Sequence, residues 1–109
     1  MSAIYIAGPM TGYERFNFDA FDSAKRDLLE TEEYYTVISP ADLDREQGIE
    51  PDANGDIANF DYRAAIRRCV DAMFGCDAIY MLRGWELSKG ARMEHALALC
   101  LDLEIIYEP

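Results

Sequence analysis

Glu94 is the residue whose position points most directly to chemistry. Leu97, Ala98 and Leu101 follow it at i+3, i+4 and i+7, so on a helix it shares the apolar stripe rather than the solvent face. A carboxylate there is costly to bury unless it has a partner or a task. The plain alternative is an ordinary first-turn Glu that favours the helix dipole by ~0.3–1 kcal/mol and reaches solvent. Asp42 and Asp44 follow a strand, and Asp77 opens another. Glu94 with one such Asp could divide nucleophile and acid roles at a glycosidic carbon. His95 points about 100° away from Glu94 around the helix, which makes it a polar flank.

Several further residues have the right character to hold a ligand. In Ser88-Lys89-Gly90-Ala91, Ser88 is a good N-cap and Gly90 lets a ligand approach the backbone. A plain helix cap is the commoner explanation of a lone Ser, and Lys89 and Arg92 are phosphate partners or surface charges. Gly8-Pro9-Met10-Thr11-Gly12 ends a strand with two glycines and a hydroxyl, which suits contact between backbone and ligand, although it matches no phosphate-loop pattern. Tyr5, inside that strand, reads as a core aromatic on position alone. Trp85 follows Gly84 in a loop and could stack on a planar base or anchor a subunit interface.

The elements that must position these residues alternate. Residues 3–8 read as a buried strand ending in Gly8-Pro9. A helix is expected over 17–30, with Asn17 as N-cap and Phe18, Phe21, Ala24, Leu28 and Leu29 at helical spacing. Residues 34–39 are β-branched and aromatic, a second strand that Pro40 stops. Residues 41–59 form the one long polar loop, of the kind that is often functional. A helix over about 60–74 carries Tyr62, Ile66, Cys69, Val70 and Met73 on one stripe. Residues 77–82 are a third strand, 89–101 a third helix and 103–107 a last strand. Strands alternating with helices give a parallel sheet with right-handed crossovers, an α/β domain of flavodoxin or Rossmann-like type with four to five strands in order near 2-1-3-4. Its ligand site lies beyond the carboxyl ends of the strands, which brings together Gly8–Tyr13, Pro40–Asp44 and Arg83–Gly90.

Composition narrows the function classes. The chain has 109 residues, one domain's worth spanning 1–109, and half of them are hydrophobic. The formal charge of −11 argues against binding a nucleic-acid polymer or an anionic membrane, both of which need clustered Lys and Arg. It leaves room for one phosphate at a helix N-terminus. Cys69, Cys76 and Cys100 are odd in number, lack CxxC spacing and sit in apolar stretches, which reads as reduced core thiols in the cytoplasm. The N-terminal residues lack a basic region and a long apolar run, so no signal peptide or membrane span is expected. A single His and no ligand spacing suggest no metal and no cofactor.

IYIAGPMTG, NFDAF, ISPADLD, CDAIYMLRGWELSKGARMEHALA and LEIIY together resemble a phage and prophage family of unassigned function within the nucleoside 2-deoxyribosyltransferase-like superfamily. The resemblance spans nearly the whole chain and is most specific over GWELSKGARMEHALA. Similarity to the characterised nucleoside deoxyribosyltransferases and deoxynucleoside 5′-monophosphate N-glycosidases is remote. It rests on a strand Tyr, a Ser six residues before a helix Glu, and the order of elements. It implies that Glu94 is the nucleophile, that Tyr5 hydrogen-bonds it and that Ser88 binds a 5′-phosphate. Those enzymes also carry an Asp eight residues ahead of the Asp that opens the third strand, and here that position is Cys69. A thiol with an ordinary pKa of ~8.5 does not replace that acid at neutral pH. Asp61, Asp42 or, least favourably placed, Asp71 could supply the proton instead.

The activity so implied is cleavage or transfer at the N-glycosidic bond of a 2′-deoxynucleoside or its 5′-monophosphate. Gly8, Pro9, Met10, Asp42, Trp85, Ser88 and Gly90 would bind the substrate, a small molecule. The resemblance also implies a homo-oligomer, dimer or larger, with Tyr13, Phe16 and Trp85 as interface aromatics, and a cytoplasmic location (the host's, for a phage protein). The alternative is a protein that binds or sequesters a nucleotide without turning it over.

Overall fold

A computed structural model describes residues 2–51 and 60–109. The chain runs β1 (Ser2–Ala7), α1 (Phe18–Glu30), β2 (Tyr34–Ile38), α2 (Pro40–Glu46), α3 (Tyr62–Met73), β3 (Ala78–Met81), α4 (Lys89–Cys100) and β4 (Glu104–Tyr107). Short 3₁₀ turns cover Glu14–Asn17 and Trp85–Leu87. The four strands make one parallel sheet in the order β2-β1-β3-β4, the expected Rossmann-like arrangement. Tyr5 pairs with Ile38 on one side and Ile79 on the other, which places it mid-sheet.

Alternation along β1 splits the core into two layers. Ile4 and Ile6 pack with Phe18, Phe21, Ala24 and Leu28 of α1. Tyr5 and Ala7 face the other way, toward Met73 of α3, Ala98 of α4 and Ile79 and Met81 of β3. Tyr5 is thus a fully buried phenol on the α3–α4 side. A phenol in that setting needs a hydrogen-bond partner.

Gly8 ends β1 where the backbone runs against β3. A Cβ there would lie 2.7 Å from the Leu82 Cβ, so only glycine lets the two strand ends meet. Gly84, at φ +86°, turns the chain from β3 toward α4, and a Cβ there would press on the Tyr13 hydroxyl at 2.8 Å.

Four local expectations need correction. Asn17 holds the N-cap position of α1 but adopts a left-handed backbone, and its amide donates to the Pro9 carbonyl at 2.8 Å instead of capping. Pro40 does not merely stop β2: it sits in the first turn of α2, where its missing N–H is no loss, and the Ser39 Oγ accepts from Ala41 N. The expected 41–59 loop therefore begins with a helix, and residues 52–59 lie outside the described residues. On α3 the buried face is carried by Ala65 and Met73, whereas Tyr62 is exposed; Cys100 at the end of α4 is likewise exposed, not core. No helix among the described residues is long and apolar enough to cross a membrane.

Candidate functional site

A cleft opens at the carboxyl edge of the sheet between the β1 end, α2, α3 and the start of α4. Gly8, Met10 and Thr11 line it from the turn after β1, Pro40 and Asp44 from α2, Cys69 from α3, and Ser88, Gly90 and Glu94 from α4. Phe16, Phe60 and Tyr62 add aromatic surface, with Phe60 edge-on to Phe16 at 6.0 Å and to Tyr62 at 6.5 Å.

Glu94 projects inward, as its place on the apolar stripe requires. Ala91 and Ala98, one turn either side of it, are buried on the same face, and Glu94 itself is only 7 % exposed. The Tyr5 hydroxyl donates to Glu94 Oε2 at 2.6 Å. This single bond gives the buried phenol its partner and the buried carboxylate a donor. Burial pushes the Glu94 carboxyl up to about 7, and the Tyr5 hydrogen bond restrains the rise. Tyr5 is driven well above its ordinary range by burial first and by the Glu94 charge second, so it remains a neutral donor. Cys69 is pushed up to about 12, again by burial first and then by Glu94. It is a protonated thiol at neutral pH, a poor acid and a poor nucleophile.

Ser88 caps α4, with its Oγ accepting from Ala91 N at 3.2 Å, and faces the cleft beside Gly90. Pro9 lies in an adjoining depression with Thr11, Tyr13, Leu87 and Lys89, which shares Tyr62, Ser88 and Gly90 with the main cleft. Glu94, Gly8, Met10, Ser88 and Gly90 are therefore gathered in one place, with Tyr5 bonded to Glu94 and Pro9 next door.

Two expected residues are not gathered there. Asp42 turns toward α1, where Lys25 Nζ binds it at 2.6 Å and Arg45 Nη1 at 3.1 Å. Asp44 is the one that lines the cleft. Two residues along a helix rotate a side chain by about 200°, so once α2 is helical only one of the pair can face the cleft. Trp85 is half-buried against α4, stacked on His95 with ring centroids 4.3 Å apart, and His95 Nε2 shares a hydrogen bond with the Tyr107 hydroxyl at 2.9 Å. It does not line the cleft. Phe16, read as an interface residue, lines the cleft. Of the other acids considered, Asp61 caps α3 by accepting from Ala64 N at 3.1 Å, and Asp71 is exposed.

Phe60 is a lining residue the sequence did not single out, and Asp44 was named there beside Asp42 and Asp77 without a choice among them. Helical spacing from Ser39 onward was the available signal for Asp44; Phe60 carried none. Asp44 is 4 % exposed, and burial raises its carboxyl despite the opposing Arg68 guanidinium at 3.4 Å. The cleft thus holds two buried carboxyl groups of different surroundings, one donor phenol and an aromatic wall. Among the described residues no group of three or more His, Cys, Asp and Glu is arranged to hold a metal ion.

A family model described as a domain of unknown function (DUF4406) matches residues 2–107, and the chain belongs to that family. No curated protein and no solved structure matches it.

Proposed function

We propose that this family member cleaves or transfers the N-glycosidic bond of a 2′-deoxynucleoside or its 5′-monophosphate, with Glu94 as nucleophile. The observation that carries the reading is the buried Glu94 carboxylate, aimed into the cleft and held by the Tyr5 hydroxyl at 2.6 Å. A carboxylate fixed in one rotamer by a neutral donor can approach an anomeric carbon from a defined side. Its Oε1 is left to attack while Oε2 holds the phenol. The C1′–N bond breaks with its electron pair passing to the base, and a glycosyl ester forms on Glu94. Water then releases the sugar, or a second base takes it. The aromatic wall of Phe16, Phe60 and Tyr62 is suited to stacking on the base, and Ser88 with the Gly90 backbone to holding a 5′-hydroxyl or phosphate.

Base release from a panel of 2′-deoxynucleosides and their monophosphates tests this. The wild type should release free base from at least one of them, and Glu94→Gln should lose at least ~10³-fold, since removal of a covalent nucleophile typically leaves only binding and electrostatic help. Equal release by the two proteins would remove Glu94 from the chemistry. In the same preparation, the proposed homo-oligomer should sediment as a species heavier than the 12.4 kDa chain. A cytoplasmic site of action, in a phage-infected host where the gene is phage-borne, completes the proposal.

The Cys69 thiol at the position where the characterised enzymes carry an acid favours a second reading, nucleotide binding without turnover. A nucleotide that raises the melting temperature while no base is released, by wild type or variant, would select it.

A further inference from the structure

We propose that Asp44 is the general acid of this site, the carboxyl that hands its proton to the departing base and later takes one from the attacking water. The inference rests on the glycosyl-transfer reading and adds the residue that reading lacks. A base leaves as a poor anion unless a ring nitrogen or carbonyl oxygen is protonated as the C1′–N bond breaks. Cys69 holds its proton too tightly to serve.

Three observations single out Asp44. It is buried, yet it lines the same cleft as Glu94. It reaches the cleft from α2 and Glu94 from α4, with Cys69 of α3 lining the same cleft. Two carboxyl groups on separate elements around one cleft can act on different atoms of one substrate.

Its pairing is also loose for a structural ion pair. Arg45 grips Asp22 with two parallel bonds of 2.8 Å, Nη1 to Oδ1 and Nη2 to Oδ2. Arg68 reaches only Oδ1 of Asp44, at 3.4 Å, and its own Nε is buried without a partner. No described residue donates to Asp44 Oδ2. An acid that must alternate between protonated and ionised forms fits that arrangement better than a locked bidentate pair does. Burial favours its neutral form, and Arg68 opposes that preference.

The step balances as follows. Glu94 Oε1 forms the bond to C1′ as the C1′–N bond breaks, and the Asp44 proton goes to the base, which leaves neutral. Asp44, now a carboxylate, accepts a proton from water as the water oxygen bonds C1′ and frees Glu94. Base and 2-deoxyribose are the products, and no other reactant is needed.

The test is Asp44→Asn, assayed on two kinds of substrate. One is the best natural substrate from the base-release panel. The other is 4-nitrophenyl 2-deoxy-β-ribofuranoside, 5-phosphorylated if the panel requires it, whose leaving group departs without protonation. Asp44→Asn should lose ~10²–10⁴-fold on the natural substrate and stay within a few-fold of wild type on the aryl sugar. Glu94→Gln should lose activity on both. Equal loss on both substrates by Asp44→Asn would make Asp44 a structural residue, and no loss on either would make it a bystander; each overturns the proposal while leaving Glu94 in place. If the wild type does not take the aryl sugar, the pH profile decides: the falling alkaline limb of kcat/KM should vanish in Asp44→Asn, and its persistence would overturn the proposal. A wild type inert on every substrate would overturn the glycosyl-transfer reading itself, and this proposal with it.

Discussion

Two carboxyl groups share the cleft, Glu94 beside the Tyr5 phenol and Asp44 beside the Arg68 guanidinium. Glu94 is the more deeply perturbed, and its protonation is coupled to folding. A carboxyl that ionises near 4.5 in the unfolded chain and near 7 in the fold favours the folded state less as the unfolded form ionises first. The penalty is absent below pH 4.5, grows between 4.5 and 7 and is complete above 7, at about 3 kcal/mol. Gln at this position can still accept the Tyr5 hydrogen bond but carries no charge. Glu94→Gln should therefore melt close to wild type at pH 4 and several degrees above it at pH 8. Thermal melts across that range check it, and a difference that stays constant with pH would contradict the burial of an ionisable Glu94. The inward aim of Glu94 was only half legible in the sequence: Leu97 and Ala98 at i+3 and i+4 pointed it inward, while a first-turn Glu reaching solvent fitted the same position. Its bond to Tyr5 came only with the resemblance, since a strand Tyr and a helix Glu 89 residues apart share no local pattern.

At the scale of elements, the sheet and its order followed from alternation of apolar runs and amphipathic stretches, and the cleft from the rule that parallel sheets bind at their carboxyl edge. What escaped was α2. Polar residues after Pro40 read as a loop, yet Ser39, Pro40 and the acidic Asp42 are a helix start. The consequence is specific: in a loop Asp42 and Asp44 are interchangeable, whereas on a helix they face opposite ways, and the cleft receives Asp44. Trp85 escaped for a different reason. A loop Trp has no periodicity to betray its direction, and stacking on His95 decided it. The edge itself depends on Gly8. Gly8→Ala places a methyl 2.7 Å from the Leu82 Cβ, an atom too close to its backbone to swing away. The variant should lose roughly 1–3 kcal/mol of stability, as overpacked sites do, read as a lower urea midpoint with an unchanged slope. An unchanged midpoint would mean that β1 and β3 do not close at Leu82.

For the whole molecule, a net charge of −11 surrounds a cleft that already contains two carboxyl groups. The acidic field disfavours polyanions. A neutral or singly phosphorylated nucleoside suits that field better than a polymer. Glycosyl transfer through Glu94 requires a covalent bond between its carboxylate and a sugar. The most direct measurement is the intact mass of the protein after incubation with a 2′-fluorinated deoxynucleoside, whose electron-withdrawing substituent slows release of the glycosyl ester. The protein should gain one fluorodeoxyribosyl group, mapped to the peptide containing Glu94 and absent from Glu94→Gln. Base released with no adduct, or an adduct on another residue, would contradict it.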